Sequence, residues 1–516
     1  MTDETRPELA ALQSRLSATL DEERTEAAAK RHQRGYRTAR ENLTALIDAD
    51  SFVEYGQLAV AAQRSRRDYE ELKRETPADG VITGTATIHG QPVAVAVYDY
   101  SVLAGTQGFF HHRKLDRLFE LAEASRLPVV MFTEGGGGRP GDTDVTTQIA
   151  GLNIGSFAAW ARLSGLVPRI AITNGFCFAG NAALFGSADI TLATRQSWIG
   201  MAGPAMIEGG GLGQFAPTDI GPVLEQERNG VVDMVLADEE EAIDVARTLL
   251  GLFQGRLDTW ECADQRVLRD LIPEDRRWGY PVRRIIETVA DAGSFIELRR
   301  VYGRPIITGF MRLEGRPVGL IANDCQQLGG AVDAESADKA ARFLKLCDAF
   351  GLPIVSFTDT PGFMVGPASE QQAAVRRMSN LFVTGASLTV PMVAIFLRKA
   401  YGLGAMAMTG GSFAIPVYAA AWPTGEFGAM GLEGAVQLGF KKELEALPEG
   451  EERDALYESL LQRMYDVGQA SEAASHLEID AVIDPVETRR TLIAALARAP
   501  HRHPSQHKHR NCVDTW

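Results

Sequence analysis

The sequence predicts an α/β protein that consists of two copies of one β/α domain. Short apolar runs of strand character alternate with helix-length amphipathic segments along most of the 516 residues. Positions in the first half recur in the second half at a constant offset. In addition, residues 168–186 have a twin at residues 391–409, in which an apolar strand passes through a glycine-marked turn into a small-residue helix.

The internal repeat is visible residue by residue. Thr83-Gly84 recurs as Thr308-Gly309, an offset of 308 − 83 = 225. At the same offset the residues Gly90, Pro92, Val93, Asp99, Leu103, Gly105 and Lys114 recur as Gly315, Pro317, Val318, Asp324, Leu328, Gly330 and Lys339. A run of matches at one offset indicates tandem duplication of a structural unit.

The elements follow in order from this repeat. Residues 1–47 have the spacing of one or two amphipathic helices, and residues 80–100 read as a β-hairpin that turns at His89-Gly90. A helix is expected at about residues 110–126 and a buried strand at residues 127–133, with a charged helical hairpin at 441–469 late in the second half. These elements predict an N-terminal helical segment (1–50), a first domain (51–260), a linker (261–285) and a second domain (286–516).

Composition narrows the class of protein. The formal net charge of −15 argues against a general nucleic-acid binder. Five scattered cysteines without a CxxC pair fit a reducing compartment, and the N-terminus shows no secretory signal. Because no uncharged apolar run reaches the ~18 residues that cross a bilayer, a soluble cytoplasmic protein is expected.

The twin turns are the strongest candidates for chemistry. Each turn ends in a pair of small residues where a helix should begin, Gly180-Asn181 in the first half and Gly404-Ala405 in the second. The first N–H groups of a helix have no partner within it, so they can hold an oxygen that becomes negatively charged during a reaction. The two halves therefore predict two oxyanion sites.

Other catalytic patterns are absent or ambiguous. The sequence has no GxSxG elbow and no HExxH, so neither a nucleophilic serine turn nor a metal site is predicted. The glycine run at residues 135–138 could bind phosphate or form a tight turn beside a ligand. Cys177 could be a buried small residue or a nucleophile, and Glu208 could be a general acid or base or only a helix cap.

Four segments carry a family resemblance: GFCFAGNAALFG (175–186), FTDTPGF (357–363), LRKAYGLGAMAM (397–408) and AWPTGEFGAMGLEGAV (421–436). They resemble the carboxyltransferase (β) subunits of biotin-dependent acyl-CoA carboxylases, such as propionyl-CoA carboxylase. The resemblance runs from about residue 50 to 490 and implies tandem duplicated crotonase-like (ClpP/crotonase) β/α superhelix domains. It also implies that acyl-CoA binds the N-terminal domain and biotin the C-terminal domain, between subunits of a dimer-based hexamer.

The resemblance assigns site residues. The thioester oxyanion turn falls on Ala179, Gly180, Asn181 and Ala182, and the biotin oxyanion turn falls on Tyr401, Gly402, Gly404 and Ala405. Asn181 replaces a glycine of the family, and Leu403 looks like a one-residue insertion. Ala407 occupies a position that shapes the family's acyl pocket, and its small side chain implies room for a bulkier or longer acyl chain.

The implied activity is transfer of CO2 from carboxybiotin to the α carbon of an acyl-CoA, as one component of a ligase complex. The sequence shows no biotinyl-lysine MKM motif and no glycine-rich ATP-binding module, so a biotin carboxylase and a biotin carboxyl carrier subunit are the expected partners. Two alternatives remain open. One is a biotin-independent crotonase-type hydratase or decarboxylase that uses Glu208, and the other is a non-catalytic assembly subunit.

Overall fold

The computed structural model describes residues 6–145, 152–499 and 510–516. The chain forms two compact units. Unit 1 comprises residues 1–254 together with 511–515, and unit 2 comprises residues 255–510 together with Trp516.

Unit 1 is built on a seven-stranded sheet of order β1-β2-β3-β4-β5-β7-β9, in which β1, β2 and β3 pair antiparallel and the later strands pair parallel. Strands β6 and β8 form a separate parallel pair. The strands are β1 (Val53–Tyr55), β2 (Val81–Ile88), β3 (Gln91–Tyr98), β4 (Val129–Phe132), β5 (Arg169–Thr173), β6 (Phe176–Phe178), β7 (Ile190–Thr194), β8 (Trp198–Gly200) and β9 (Met234–Leu236). The helices are α1 (Pro7–Ser17), α2 (Thr25–Gln33), α3 (Ala39–Leu46), α4 (Tyr69–Glu75), α5 (Phe109–Ser125), α6 (Ser156–Arg162), α7 (Gly180–Gly186), α8 (Pro204–Gly209), α9 (Val223–Arg228) and α10 (Glu239–Phe253).

Unit 2 repeats this plan with an eight-stranded sheet of order β10-β11-β12-β13-β14-β15-β17, to which β16 adds by pairing with β14. The strands are β10 (Ile296–Leu298), β11 (Ile306–Leu313), β12 (Arg316–Asn323), β13 (Ile354–Thr360), β14 (Met392–Tyr401), β15 (Tyr418–Ala421), β16 (Glu426–Gly428) and β17 (Ala481–Val482). The helices are α11 (Val282–Val289), α12 (Ala334–Ala349), α13 (Pro367–Glu370), α14 (Ala374–Ala386), α15 (Gly402–Met408), α16 (Leu432–Gly439), α17 (Lys441–Glu445), α18 (Glu451–Val467), α19 (Ala470–Ser475) and α20 (Thr488–Arg498).

The parallel strands are short apolar runs because both of their faces are covered. Every residue of β4 and β5 is buried, as expected for strands at the centre of a parallel sheet. Trp160 of α6 is fully buried in the core of unit 1, and its indole N–H donates to the carbonyl of Leu184 in α7 at 2.9 Å. This contact fixes the short helix α7 against the core.

The predicted duplication is confirmed by the element bounds. Strand β2 and β11 begin 306 − 81 = 225 residues apart, and α5 and α12 begin 334 − 109 = 225 residues apart. The predicted hairpin is confirmed too, since Ile88 pairs with Gln91 across the turn and His89 has φ +54°. The helices expected at residues 1–47, about 110–126 and 441–469 are present as α1–α3, α5, and α17 with α18.

The two units divide the chain at residues 254 and 255, whereas the sequence placed the end of the first domain at 260. The N-terminal helices belong to unit 1, where Arg24 pairs with Asp99 at 2.7 Å. The whole segment expected as a linker belongs to unit 2, where the N–H of Tyr280 contacts the thiol of Cys325 at 3.3 Å. Polar contacts with residues far along the chain therefore hold the N-terminal helices in unit 1 and the expected linker in unit 2.

No helix among the described residues has the length and apolar character that crossing a membrane requires.

Candidate active site

The first predicted turn lies where strand β6 runs into helix α7. Strand β6 ends at Phe178 and α7 begins at Gly180. Between them Ala179 has φ +51° and ψ −119°, a backbone conformation that alanine rarely adopts. Backbone of this kind persists only where the surroundings hold it, and it is concentrated at functional turns.

The start of α7 presents backbone N–H groups that the helix itself does not use. The first intrahelical bond is donated by Ala183 to the carbonyl of Ala179 at 2.9 Å, so the amides of Gly180 and Asn181 precede it. A Cβ atom on Gly180 would lie 2.2 Å from Oε1 of Gln107. A side chain at this position would therefore have to displace the carboxamide of Gln107 from the turn.

Asn181 ties the start of α7 to the loop after strand β4. Its side chain is fully buried, its Oδ1 accepts the N–H of Gly137 at 3.0 Å, and its Nδ2 donates to the carbonyl of Thr133 at 3.1 Å. A glycine could make neither bond. The asparagine therefore adds a tether to the turn and leaves its backbone N–H at the helix start.

A cavity of about 1020 Å³ in unit 1 opens at this turn, and Ala179 and Gly180 form part of its wall. Its lining is rich in aromatic side chains, namely Tyr100, Phe109, Phe157, Phe176 and Phe178. The volume lies at the upper end of the range of small-molecule sites, roughly 300–1,000 Å³. Backbone donors beside an apolar cavity of this size suit a thioester that carries an apolar acyl group.

A hydrogen-bonded chain of three side chains, His112, Ser156 and Asp116 (the His112 relay), borders the same cavity. The sequence did not predict it. His112 lines the cavity; its Nδ1 lies 3.0 Å from Oγ of Ser156, and that hydroxyl lies 2.7 Å from Oδ1 of Asp116. Burial lowers the pKa of His112, so the neutral imidazole is favoured. The spacing of His112 and Asp116, one turn apart on α5, was the available signal, but only the fold brings Ser156 to them.

The glycine run lies beside strand β6, with Gly135 and Gly138 in isolated parallel bridges to Cys177 and Gln107 and a bend at Gly137. The N–H of Gly135 donates to Phe176 at 2.7 Å, and the N–H of Phe178 donates back to Gly135 at 2.9 Å. No helix begins between residues 135 and 145, so the run lacks the helix start that a phosphate loop uses. Gly136 and Gly138 line the cavity, so the run brings backbone close to it through bridged residues and a bend instead of a tight turn.

A buried ion pair holds the residue before this run. Arg31 of α2 donates to both carboxylate oxygens of Glu134, at 3.0 and 2.8 Å. The rings of Tyr36 and Tyr100 flank the guanidinium, 4.7 and 5.8 Å from it. The two residues are 103 positions apart in the chain, so no sequence pattern predicts this ion pair.

The second predicted turn lies where β14 runs into α15. Here Gly402 is left-handed, with φ +56°, and it follows Ala179 by 402 − 179 = 223 residues. Strands β5 and β14 begin at the same offset, 392 − 169 = 223. This register pairs Leu403 with Gly180 and Gly404 with Asn181, so the amide of Leu403 joins those of Gly404 and Ala405 in the first turn.

Backbone packing surrounds the second turn. A Cβ atom on Gly404 would lie 2.5 Å from the carbonyl carbon of Gly362, so this position also requires glycine. The phenol of Tyr401 donates to Oε2 of Glu426 at 2.8 Å, and Arg276 lies 3.1 Å from the other carboxylate oxygen. Burial raises the pKa of Tyr401, which keeps the phenol protonated.

The described lining of the cavity does not include Ala407, Cys177 or Glu208. Ala407 is fully buried in α15 of unit 2. Cys177 is fully buried as well, and burial raises the pKa of its thiol to about 12, which fits a small core residue and not a nucleophile. Glu208 is exposed on α8 and accepts a hydrogen bond from Gln214 at 2.5 Å.

Comparison with known proteins gives a consistent set of similarities. The family model of the carboxyl transferase domain matches residues 30–512. The chain is 32% identical over 503 residues to the biotin-dependent long chain acyl-coenzyme A carboxylase beta4 subunit of Mycobacterium tuberculosis, with 94% of this chain and 93% of that subunit covered.

Two solved structures share the fold over nearly the whole chain. A single-chain, multi-domain long-chain acyl-CoA carboxylase matches with a TM-score of 0.90 and 53% identity over 95% of this chain, which spans about half (49%) of that protein. The transcarboxylase 12S hexamer, solved with methylmalonyl-coenzyme A and methylmalonic acid bound, matches with a TM-score of 0.84 and 29% identity over 98% of both chains.

Proposed function

The chain belongs to the carboxyl transferase family, and we propose that it transfers a carboxyl group from carboxybiotin to the α carbon of an acyl-CoA. The family and the tandem crotonase-like fold expected from the sequence are both confirmed.

One observation carries the proposal. The amides of Gly180 and Asn181 stand at the start of α7, and the turn that holds them opens onto an aromatic cavity large enough for an acyl thioester. Loss of the α proton moves negative charge onto the thioester oxygen, and amides at this position would stabilise that charge. The chain's part is to orient the thioester, stabilise its oxyanion and limit water.

The second turn is the proposed binding site for biotin. The first-turn residues of α15 carry no charged side chain, and the amides of Leu403, Gly404 and Ala405 are the donors proposed for the ureido oxygen of biotin. Carboxybiotin supplies the carboxyl group and the basic group of the reaction. Tyr401 and Gly402 would position this turn, as Ala179 and Ala182 would position the first one.

The proposed partners and assembly follow from the relatives. We infer a biotin carboxylase and a biotin carboxyl carrier as partners, because the M. tuberculosis relative is a subunit of a biotin-dependent carboxylase. A homohexamer is supported by the hexamer assembly of the transcarboxylase 12S structure. Light scattering of the purified protein would measure its mass, and a monomer at micromolar concentration would contradict the hexamer.

The experiment is the reverse half-reaction on the purified chain. The protein is incubated with methylmalonyl-CoA or malonyl-CoA, with and without free biotin, and loss of the carboxylated thioester is followed. The proposal predicts loss that depends on biotin. Loss without biotin would instead indicate a decarboxylase. Binding of the thioesters without turnover, or no binding of CoA esters, would overturn the proposal in favour of an assembly role.

A further inference from the structure

Gln107 is a buried amide side chain whose outer end faces the first turn. The residue is 3% exposed and lines the cavity. Its backbone is held on both sides, since its N–H donates to Gly137 at 2.7 Å and its carbonyl accepts the N–H of Arg139 at 2.8 Å. The side chain therefore starts from a fixed point on the cavity wall.

The carboxamide spans the distance from Tyr98 to Gly180. Its Nε2 lies 2.9 Å from the phenol of Tyr98, and its Oε1 would lie 2.2 Å from a Cβ atom on Gly180. Among the described residues, Oε1 has no hydrogen-bond partner. A buried polar atom without a hydrogen bond destabilises the folded protein unless a ligand or a water molecule supplies that bond.

The chemistry of Tyr98 favours the opposite orientation of this carboxamide. Burial raises the pKa of Tyr98, so the phenol keeps its proton. Its O–H group therefore needs a hydrogen-bond acceptor. With Nε2 toward Tyr98, the phenol accepts a bond and its own O–H has no acceptor among the described side chains. When the carboxamide turns end for end, the phenol donates to Oε1, and the two N–H groups of Nε2 face Gly180 and the cavity.

We propose that Gln107 contacts the thioester and donates a hydrogen bond to its oxygen, as a side-chain donor beside the backbone amides of the first turn. Tyr98 is then a positioning residue, because it acts on the carboxamide and does not touch the thioester. This inference rests on the proposed function and adds a side-chain group that contacts the substrate to that site.

The test combines spectroscopy with kinetics on the full chain. Propionyl-CoA labelled with ¹³C at the thioester carbonyl is the probe, and its C=O stretching frequency is measured when bound to wild type, Gln107→Leu, Gln107→Glu and Tyr98→Phe. The same proteins are assayed for biotin-dependent loss of methylmalonyl-CoA. Gln254→Leu serves as the matched control, since Gln254 bonds to the carbonyl of Ile88 at 3.0 Å and is absent from the cavity lining.

The inference predicts an order of effects. Wild type and Gln254→Leu lower the C=O frequency equally, Gln107→Leu loses part of that shift, and its kcat falls by about tenfold or more while KM changes little. Gln107→Glu should be slower than Gln107→Leu, because a carboxylate repels the oxyanion. A purely structural role predicts the reverse, since glutamate is closer to glutamine in shape.

Each alternative outcome is decisive. A wild-type frequency and a wild-type kcat in Gln107→Leu would overturn the inference. If Gln107→Leu does not fold, Tyr98→Phe still tests it, because loss of the phenol should weaken the frequency shift while Gln107 remains. If wild type binds propionyl-CoA but transfers no carboxyl group, the proposed function fails, and the spectroscopy still decides whether Gln107 contacts the thioester.

Discussion

At the scale of one residue, Asn181 adds side-chain hydrogen bonds to the proposed first oxyanion turn. An oxyanion turn uses backbone N–H groups, which a side chain does not remove. The side chain of Asn181 instead bonds to Gly137 and Thr133, so it fixes the glycine run against the start of α7. The sequence located this residue at the turn, but the tether became visible only when distant segments were brought together.

Two buried lysines mark the duplication at the same scale. Lys114 and Lys339 are equivalent at the offset of 225, and burial lowers their pKa values to about 8 and about 7. Lys114 donates to the carbonyls of Ala78, at 2.9 Å, and Val81, whereas among the described residues Lys339 reaches one acceptor, the carbonyl of Gly303 at 3.5 Å. Lys339 is therefore the less well satisfied of the pair.

The lowered pKa of Lys339 predicts how the stability of the protein depends on pH. The folded-state pKa of Lys339 lies below its unfolded value, so the unfolded chain binds more protons between pH about 7 and about 10.5. The free energy of unfolding should therefore rise with pH across that window, by at most about 1.4 kcal/mol per pH unit for one lysine. Chemical unfolding of wild type and Lys339→Met at several pH values measures it.

In Lys339→Met the slope of unfolding free energy against pH should be smaller than in wild type. Lys441→Met is the control, because that side chain is largely exposed and should leave the slope unchanged. Identical slopes for wild type and Lys339→Met would show that Lys339 does not titrate as its burial requires.

Helix α8 gives a prediction at the scale of elements. Its first residues, Pro204 to Met206, line the cavity, whereas Glu208 near its end is exposed and bonds to Gln214. A hydratase would need a buried acid or base at the thioester. Glu208→Gln should therefore change the rate of biotin-dependent carboxyl loss by less than about threefold, and a hundredfold loss would contradict this by giving Glu208 an acid or base role in the reaction.

Strand-to-helix turns were the most predictable elements. A buried apolar strand followed by glycine and small residues predicted the start of α7 at Gly180. It placed the second helix start at Gly404-Ala405, whereas α15 begins two residues earlier, at Gly402. The register of the second turn was less predictable, because Leu403 resembles an insertion until the offset of β5 and β14 is known. The cavity and its His112 relay were missed, because side chains from α5 and α6 meet there only in the folded unit.

At the scale of the whole molecule, duplication explains why one fold offers two similar turns. The sequence revealed the duplication directly, since equivalent residues recur at a constant offset. It predicted the unit boundaries less well, because residues such as Leu257 bond to partners far along the chain, here the carbonyl of Gly315 at 3.0 Å. Long-range polar contacts of this kind leave no periodic pattern.

The central claim is that both turns act in carboxyl transfer, and glycine substitutions test it most directly. Biotin-dependent loss of methylmalonyl-CoA is measured for Gly180→Ala and Gly404→Ala, with Gly186→Ala and Gly434→Ala as controls, since a Cβ atom on either control glycine meets nothing within 4 Å. Circular dichroism verifies that each variant is folded. The account predicts a loss of at least about tenfold in both turn variants and none in the controls. A folded Gly180→Ala protein with the wild-type rate would contradict it.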